Sequence, residues 1–360
     1  MHVILKFRKK SGKIVVIPKK QHFQFLDGLR FICAVWVVFS HLGEPPIFTV
    51  FDGSALSILA VLAQKVFSIM FNGTAAVVVF FIISGFCIHY PYVSGREFSV
   101  SAFYMSRLTR IAIPMLAAIV ISLFLPHGYT SLEAVLWSLY CEIVYYTIYP
   151  LLRLIYSRFD YYLPIAVSFT VSFGLALVPD QHDGFFWTYG VLGSALLGLP
   201  IWMLGCLVAD VVHGQRAPKL LQYPRTGLVL RVSVLVLCIL TALLHNKTAF
   251  DFKFSMLLVA PFFALWVLFE FNQIKSFWLF EKTSSVGQGC YSIYLAHKLV
   301  LPTMSLFFVL DAGSLGWIFT MTGVVIGSAV FYFLIEKPAH RLSKFLSKRK
   351  SRDTVSALAN

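Results

Sequence analysis

The chain has 360 residues, 58% of them apolar, 16% aromatic and 13% charged, with a formal net charge of +14 and a mean hydropathy of +0.79. A soluble domain is about 25% charged, so burying this much apolar surface would leave too few charges to cover a water-facing exterior. A soluble enzyme and a disordered chain are both excluded. Lys and Arg cluster at 6–20, at 337–352 and between apolar runs, and they do not cover a folded polar face. That excludes a nucleic-acid binder and fits the flanks of membrane spans.

A spanning helix needs about 20 mostly apolar residues. Ten such runs lie near 26–43, 73–92, 109–126, 132–152, 161–178, 190–212, 227–245, 254–271, 290–310 and 315–335. They predict an all-α fold, a polytopic transmembrane helical bundle of about ten spans. The apolar stretch 54–70 is interrupted by Gln64 and Lys65 and reads as an interfacial or re-entrant piece, with an eleventh span as the rival. The chain divides into a basic segment 1–25, a membrane domain 26–336 and a basic tail 337–360. No cleavable signal peptide is expected, because the first apolar run starts late.

Orientation follows from the Lys and Arg positions. With both termini in the cytoplasm and ten alternating spans, 26 of the 30 Lys and Arg fall on the inner side. Only Lys65, Lys247 and Lys253 fall outside, and Lys298 lies within a span. The positive-inside rule therefore predicts cytoplasmic N- and C-termini and an even span count. The six cysteines all sit in or beside apolar stretches, with no CxxC spacing and no His at metal-site distance. They read as small core residues, and no metal site is expected.

A charge at the centre of a bilayer costs at least about 2.5–3.5 kcal/mol on insertion scales, so polar residues in the spans call for a reason. In chain order the first are Arg30 and His41, both in the first span. Eleven helical steps put them about 16.5 Å apart on roughly one face. Arg107 and Arg110, at i and i+3, share a helix face and can grip an anionic group. Glu142 lies near the centre of the fourth span, one turn after Ser138. His297 and Lys298 lie in the ninth. Each has a purely structural reading: a snorkelling Arg, a basic flank, a packing pair, a hydrogen-bonded core His. The remaining histidines, at span ends or in loops, are assigned no role.

Taken in order, these residues and their neighbours resemble the acyltransferase family 3 of membrane O-acyltransferases over nearly the whole chain. Phe25-Leu26-Asp27-Gly28-Leu29-Arg30 with His41 is similar to that family's Arg-x10-His signature, and Phe80-Phe81-Ile82-Ile83-Ser84-Gly85-Phe86 to its FFxxSGF motif. Arg107-Leu108-Thr109-Arg110 with Pro114 resembles RxxR-xxxP, and Leu136-Trp137-Ser138-Leu139 with Glu142 resembles WSL…E. Tyr291-Ser292-Ile293-Tyr294-Leu295 with His297 resembles SYSxYLxH, and Leu334-Ile335-Glu336-Lys337-Pro338 the closing LIEKP. The chain departs in two places. Ile143 stands where many relatives have a second acid, and Ala296, Lys298 and Leu299 surround His297 where relatives often have an aromatic before it and Trp-Pro after it.

The resemblance implies transfer of an acyl group, most simply acetyl, from cytoplasmic acyl-CoA to a hydroxyl of an extracytoplasmic or lipid-linked polysaccharide such as an exopolysaccharide. It implies a bacterial cytoplasmic (inner) membrane. Arg107 and Arg110 would meet the phosphates of the co-substrate acetyl-CoA. His41 would act as general base, and Arg30 would position the donor or stabilise developing charge. Glu142 would orient a base or hold the cavity open. Ser138, Trp137, Tyr294 and His297 would bind substrate. Direct transfer and an acyl-histidine intermediate stay open. The competing class is a secondary transporter or channel with Arg30, His41 and Glu142 lining the path. No nucleic-acid partner is expected, and the oligomeric state stays open.

Overall fold

In lipid no water is available to the backbone, so each apolar run satisfies its own N–H and C=O groups by winding into a helix. The computed structural model describes residues 24–43, 45, 57–178, 186–218, 221, 223–247, 251–273, 277–308 and 314–347, and no strand occurs among them. Most of the N-terminal segment 1–25 and the end of the tail lie outside the described residues.

The elements are α1 (Gln24–Leu42), α2 (Ser57–Met70), α3 (Gly73–Val93), α4 (Val100–Leu123), α5 (Gly128–Arg158), α6 (Tyr162–Ala176), α7 (Gly190–Gly214), α8 (Pro224–Lys247), α9 (Phe252–Asn272), α10 (Trp278–Thr283), α11 (Cys290–Met304) and α12 (Ser314–Phe331). Each of the ten predicted runs contains one of these helices. Eight helical stretches among the described residues are long and apolar enough to cross a membrane. The two predicted spans outside that set are α6 and α11, each 15 residues and thus about 22 Å long. Pro302 sits in the last turn of α11, where it removes a backbone donor. α2 has 14 residues, about 21 Å against a hydrocarbon core of about 30 Å, and Ala60 is its one buried residue among those described.

The core sits where α3 and α7 cross, with α5 and α9 packed around them. A Cβ on Gly85 would lie 2.0 Å from the Trp202 carbonyl oxygen, and one on Gly205 2.0 Å from that of Ile82. The two backbones approach this closely only because both positions lack a side chain. The glycine of the SGF segment is therefore a packing device. Gly85→Ala is expected to cost about 1–3 kcal/mol through overpacking, seen as a lower melting temperature of the purified protein. An unchanged melting temperature would contradict this contact. The exterior is apolar, with Leu192 73%, Leu315 82% and Leu334 70% exposed, as suits a surface wetted by lipid.

The boundary expected at 336/337 falls inside a continuous element. α12 runs through a π-helical turn (Tyr332–Glu336) into a helical segment 337–347, with the Lys337 N–H bonded five residues back to Tyr332. The wider turn makes room for Pro338, whose ring would otherwise meet the carbonyl of Leu334. Ser343 Oγ donates to the Ser106 carbonyl at 2.6 Å, tying this segment to α4. What reads as a basic tail thus begins as a wall of the bundle.

Candidate active site

A cavity of about 610 Å³ opens at the end of the bundle where α1 begins and α3 ends. Four basic residues line it there: Arg96 from the α3–α4 connection, Arg107 and Arg110 from α4, and Lys344 from segment 337–347. Further in, its walls carry Arg30 from α1, Ser84 from α3, Ser138, Glu142 and Tyr146 from α5, and Tyr294 from α11. A nucleotide-sized anion would meet cations at the mouth and hydroxyls deeper in.

The polar segments of the sequence pair across helices. Arg107 Nη2 donates to the Cys87 carbonyl at 3.3 Å, and Arg110 Nε donates to His340 Nε2 at 3.0 Å. His340 Nε2 lies 3.6 Å from Glu336, whose carboxylate accepts the backbone N–H of Ser292 at 2.9 Å and its hydroxyl. One chain of contacts therefore joins the RxxR, LIEKP and SYSxYLxH segments. Ser84 Oγ and Tyr146 OH share a bond of 3.1 Å, and Trp202 Nε1 donates to Ser84 at 3.2 Å. That fixes the wall beside Glu142, which lines the same cavity as Arg30 and Arg110. Arg30 in turn bonds Asp27 at 3.2 Å. Glu336→Ala would leave the buried Ser292 N–H unpaired, costing about 1–3 kcal/mol. A thermal melt reads this directly, and no loss of stability would contradict it.

At the opposite end of the cavity Ser138 Oγ and Tyr294 OH bond each other at 2.8 Å. Behind Tyr294, with ring centroids 6.3 Å apart, stands His297. His297 is fully buried, and its Nε2 lies 3.0 Å from Nδ1 of His41, which is exposed at the end of α1. The tautomers follow from the chemistry of the acceptors. His297 Nδ1 lies 3.1 Å from the Ile293 carbonyl, which can only accept, so Nδ1 carries the hydrogen. In the neutral ring Nε2 then holds the lone pair and accepts from His41 Nδ1–H. This leaves His41 Nε2 with a lone pair that the pair itself does not use. Two histidines 256 positions apart are thus joined by one hydrogen bond with a defined direction.

The structure brings Arg30, Arg107, Arg110, Ser138, Glu142 and Tyr294 to one cavity and His41 to His297 beside its inner wall. It does not bring Trp137 to the cavity. That residue is 9% exposed in the core and packs edge-on against Phe81 at 6.2 Å. His297, expected to bind substrate, is fully buried behind the exposed His41 and does not line the cavity. The sequence reading missed Arg96, Lys344, His340 and Tyr146. For His340 the available signal was its place one turn after Glu336.

A family model described as an acyltransferase domain matches residues 23–333. No curated protein and no solved structure matches the chain.

Proposed function

The chain belongs to this family of membrane acyltransferases, and from that premise we propose that it moves an acetyl group from cytoplasmic acetyl-CoA to a hydroxyl of an extracytoplasmic or lipid-linked polysaccharide in a bacterial cytoplasmic membrane. The observation that carries the reading is the single cavity. It begins among Arg96, Arg107, Arg110 and Lys344 and ends at Tyr294, next to the His41–His297 pair.

The positive-inside count supports a cytoplasmic mouth. Coenzyme A carries a diphosphate and a ribose phosphate, which suit a ring of guanidinium and ammonium groups there. The pantetheine arm then follows the Arg30 face inward, past Ser84 and Glu142. In this reading the acceptor hydroxyl approaches from the other side and gives its proton to His41 Nε2 as its oxygen attacks the thioester carbonyl. The C–S bond breaks and the departing thiolate takes the proton back from His41. His297 accepts the His41 Nδ1–H bond throughout, holding the ring's tautomer and aim. Arg30 steadies the donor, and Glu142 balances the cations of the cavity.

The test supplies the purified protein in nanodiscs with radiolabelled acetyl-CoA and saccharide fractions of a bacterial envelope. The expected result is label in saccharide as an ester cleaved by mild base, with stoichiometric release of coenzyme A. Label in no fraction and no release of coenzyme A would overturn the proposal.

A further inference from the structure

Lys298 follows His297 on α11, eight residues from the start of that helix at Cys290. It is half-buried, and among the described residues no carboxylate lies within ion-pairing distance of it. Its backbone carbonyl accepts Ser131 Oγ at 3.1 Å, which fastens this stretch of α11 to the beginning of α5. It directly follows His297, whose Nε2 lies 3.0 Å from Nδ1 of His41. Glu133, two residues after Ser131 on α5, is exposed and is not among its ion-pair partners.

A half-buried ammonium without a counter-ion is costly in a membrane protein and marks a site that meets an anion. Its position says what the anion must do. When His41 takes a proton, a second positive charge develops beside Lys298, and the two repel. An anion seated on Lys298 offsets that repulsion at the moment it arises. An acceptor that carries its own negative charge therefore binds and assists the base together, whereas a neutral one leaves the repulsion in place.

We propose that Lys298 is an acceptor subsite, and that the acceptor is an acidic saccharide whose carboxylate or phosphate pairs with this ammonium while its hydroxyl faces His41. The proposal rests on the acyltransferase reading and adds the substrate class. An anionic lipid headgroup has the same chemistry, but it would sit at the membrane surface, whereas this half-buried residue is the neighbour of the fully buried His297.

The probes are a short oligogalacturonide and its carboxyl-reduced neutral counterpart. Equilibrium binding of each is measured on wild-type protein, Lys298→Met and Lys298→Arg in nanodiscs of neutral lipid, then in nanodiscs containing phosphatidylglycerol. Melting temperatures of the three proteins serve as the folding control, and the acidic-to-neutral binding ratio is the readout. The expected result is an acidic preference of tenfold or more in wild type. It falls to about one in Lys298→Met, is partly kept in Lys298→Arg, and is the same in both lipids. A wild-type ratio near one, a ratio untouched by Lys298→Met, a preference that anionic lipid abolishes, or failure of both probes to bind a protein that binds acetyl-CoA would each overturn it. An acidic preference that needs Lys298 in a protein that never binds acetyl-CoA would support the anion subsite and sink the acyltransferase mechanism instead.

Discussion

Replacing His41 by Gln is expected to lower acyl transfer by about 10²–10⁴-fold, the range over which general-base catalysis typically contributes, with donor affinity and melting temperature unchanged. Gln keeps a hydrogen-bonding group of similar size but cannot accept and return a proton. The partner's contribution is separable. His297→Leu removes the acceptor of the His41 Nδ1–H bond and lets the ring turn, a loss of aim worth up to about 10²-fold. His297→Gln, whose amide oxygen can accept that bond, is expected to recover part of the rate. A purely structural role for His297 would lower stability in both variants and would not distinguish Leu from Gln. Retained transfer in His41→Gln contradicts the mechanism outright.

The second large effect is at the mouth of the cavity. Hydrogen bonds to charged groups are worth about 1.5–3 kcal/mol each, so Arg107→Ala/Arg110→Ala is expected to raise the KM for acetyl-CoA by at least about tenfold, or 1.4 kcal/mol. The kcat should change little, because these residues hold the nucleotide end and not the thioester. The loss should shrink as salt is raised, since phosphate pairing at an open mouth is screened. Arg110 also donates to His340, so His340→Ala should show a smaller rise in the same constant. A double variant with an unchanged KM would remove the nucleotide from this end of the bundle.

The membrane class, the apolar runs and part of the cavity were legible in the sequence, because a charged or polar residue in lipid stands out against its surroundings. Arg30 and Glu142 were visible for that reason, Arg107 and Arg110 by their i, i+3 spacing, and all four line one cavity. Arg96 and Lys344 were not, since a cation outside a span looks like any positive-inside flank until the fold aims it inward. His340 was hidden by its place in an apparent tail, and the π-helical turn that carries segment 337–347 into the bundle has no simple periodicity. Trp137 was drawn into the site by its neighbours in sequence, yet helical phase turns it to the core while Ser138 faces the cavity. The pairing of His41 with His297 joins residues 256 positions apart, which no local pattern encodes.

Every step proposed above begins with a thioester of coenzyme A entering at the cationic mouth. The direct measurement is equilibrium binding of acetyl-CoA to the purified protein in lipid nanodiscs, repeated with succinyl-CoA and with the Arg107→Ala/Arg110→Ala variant. Saturable binding to the wild type is expected, competed by free coenzyme A and weakened tenfold or more in the double variant. A well-folded protein that binds neither thioester would contradict it.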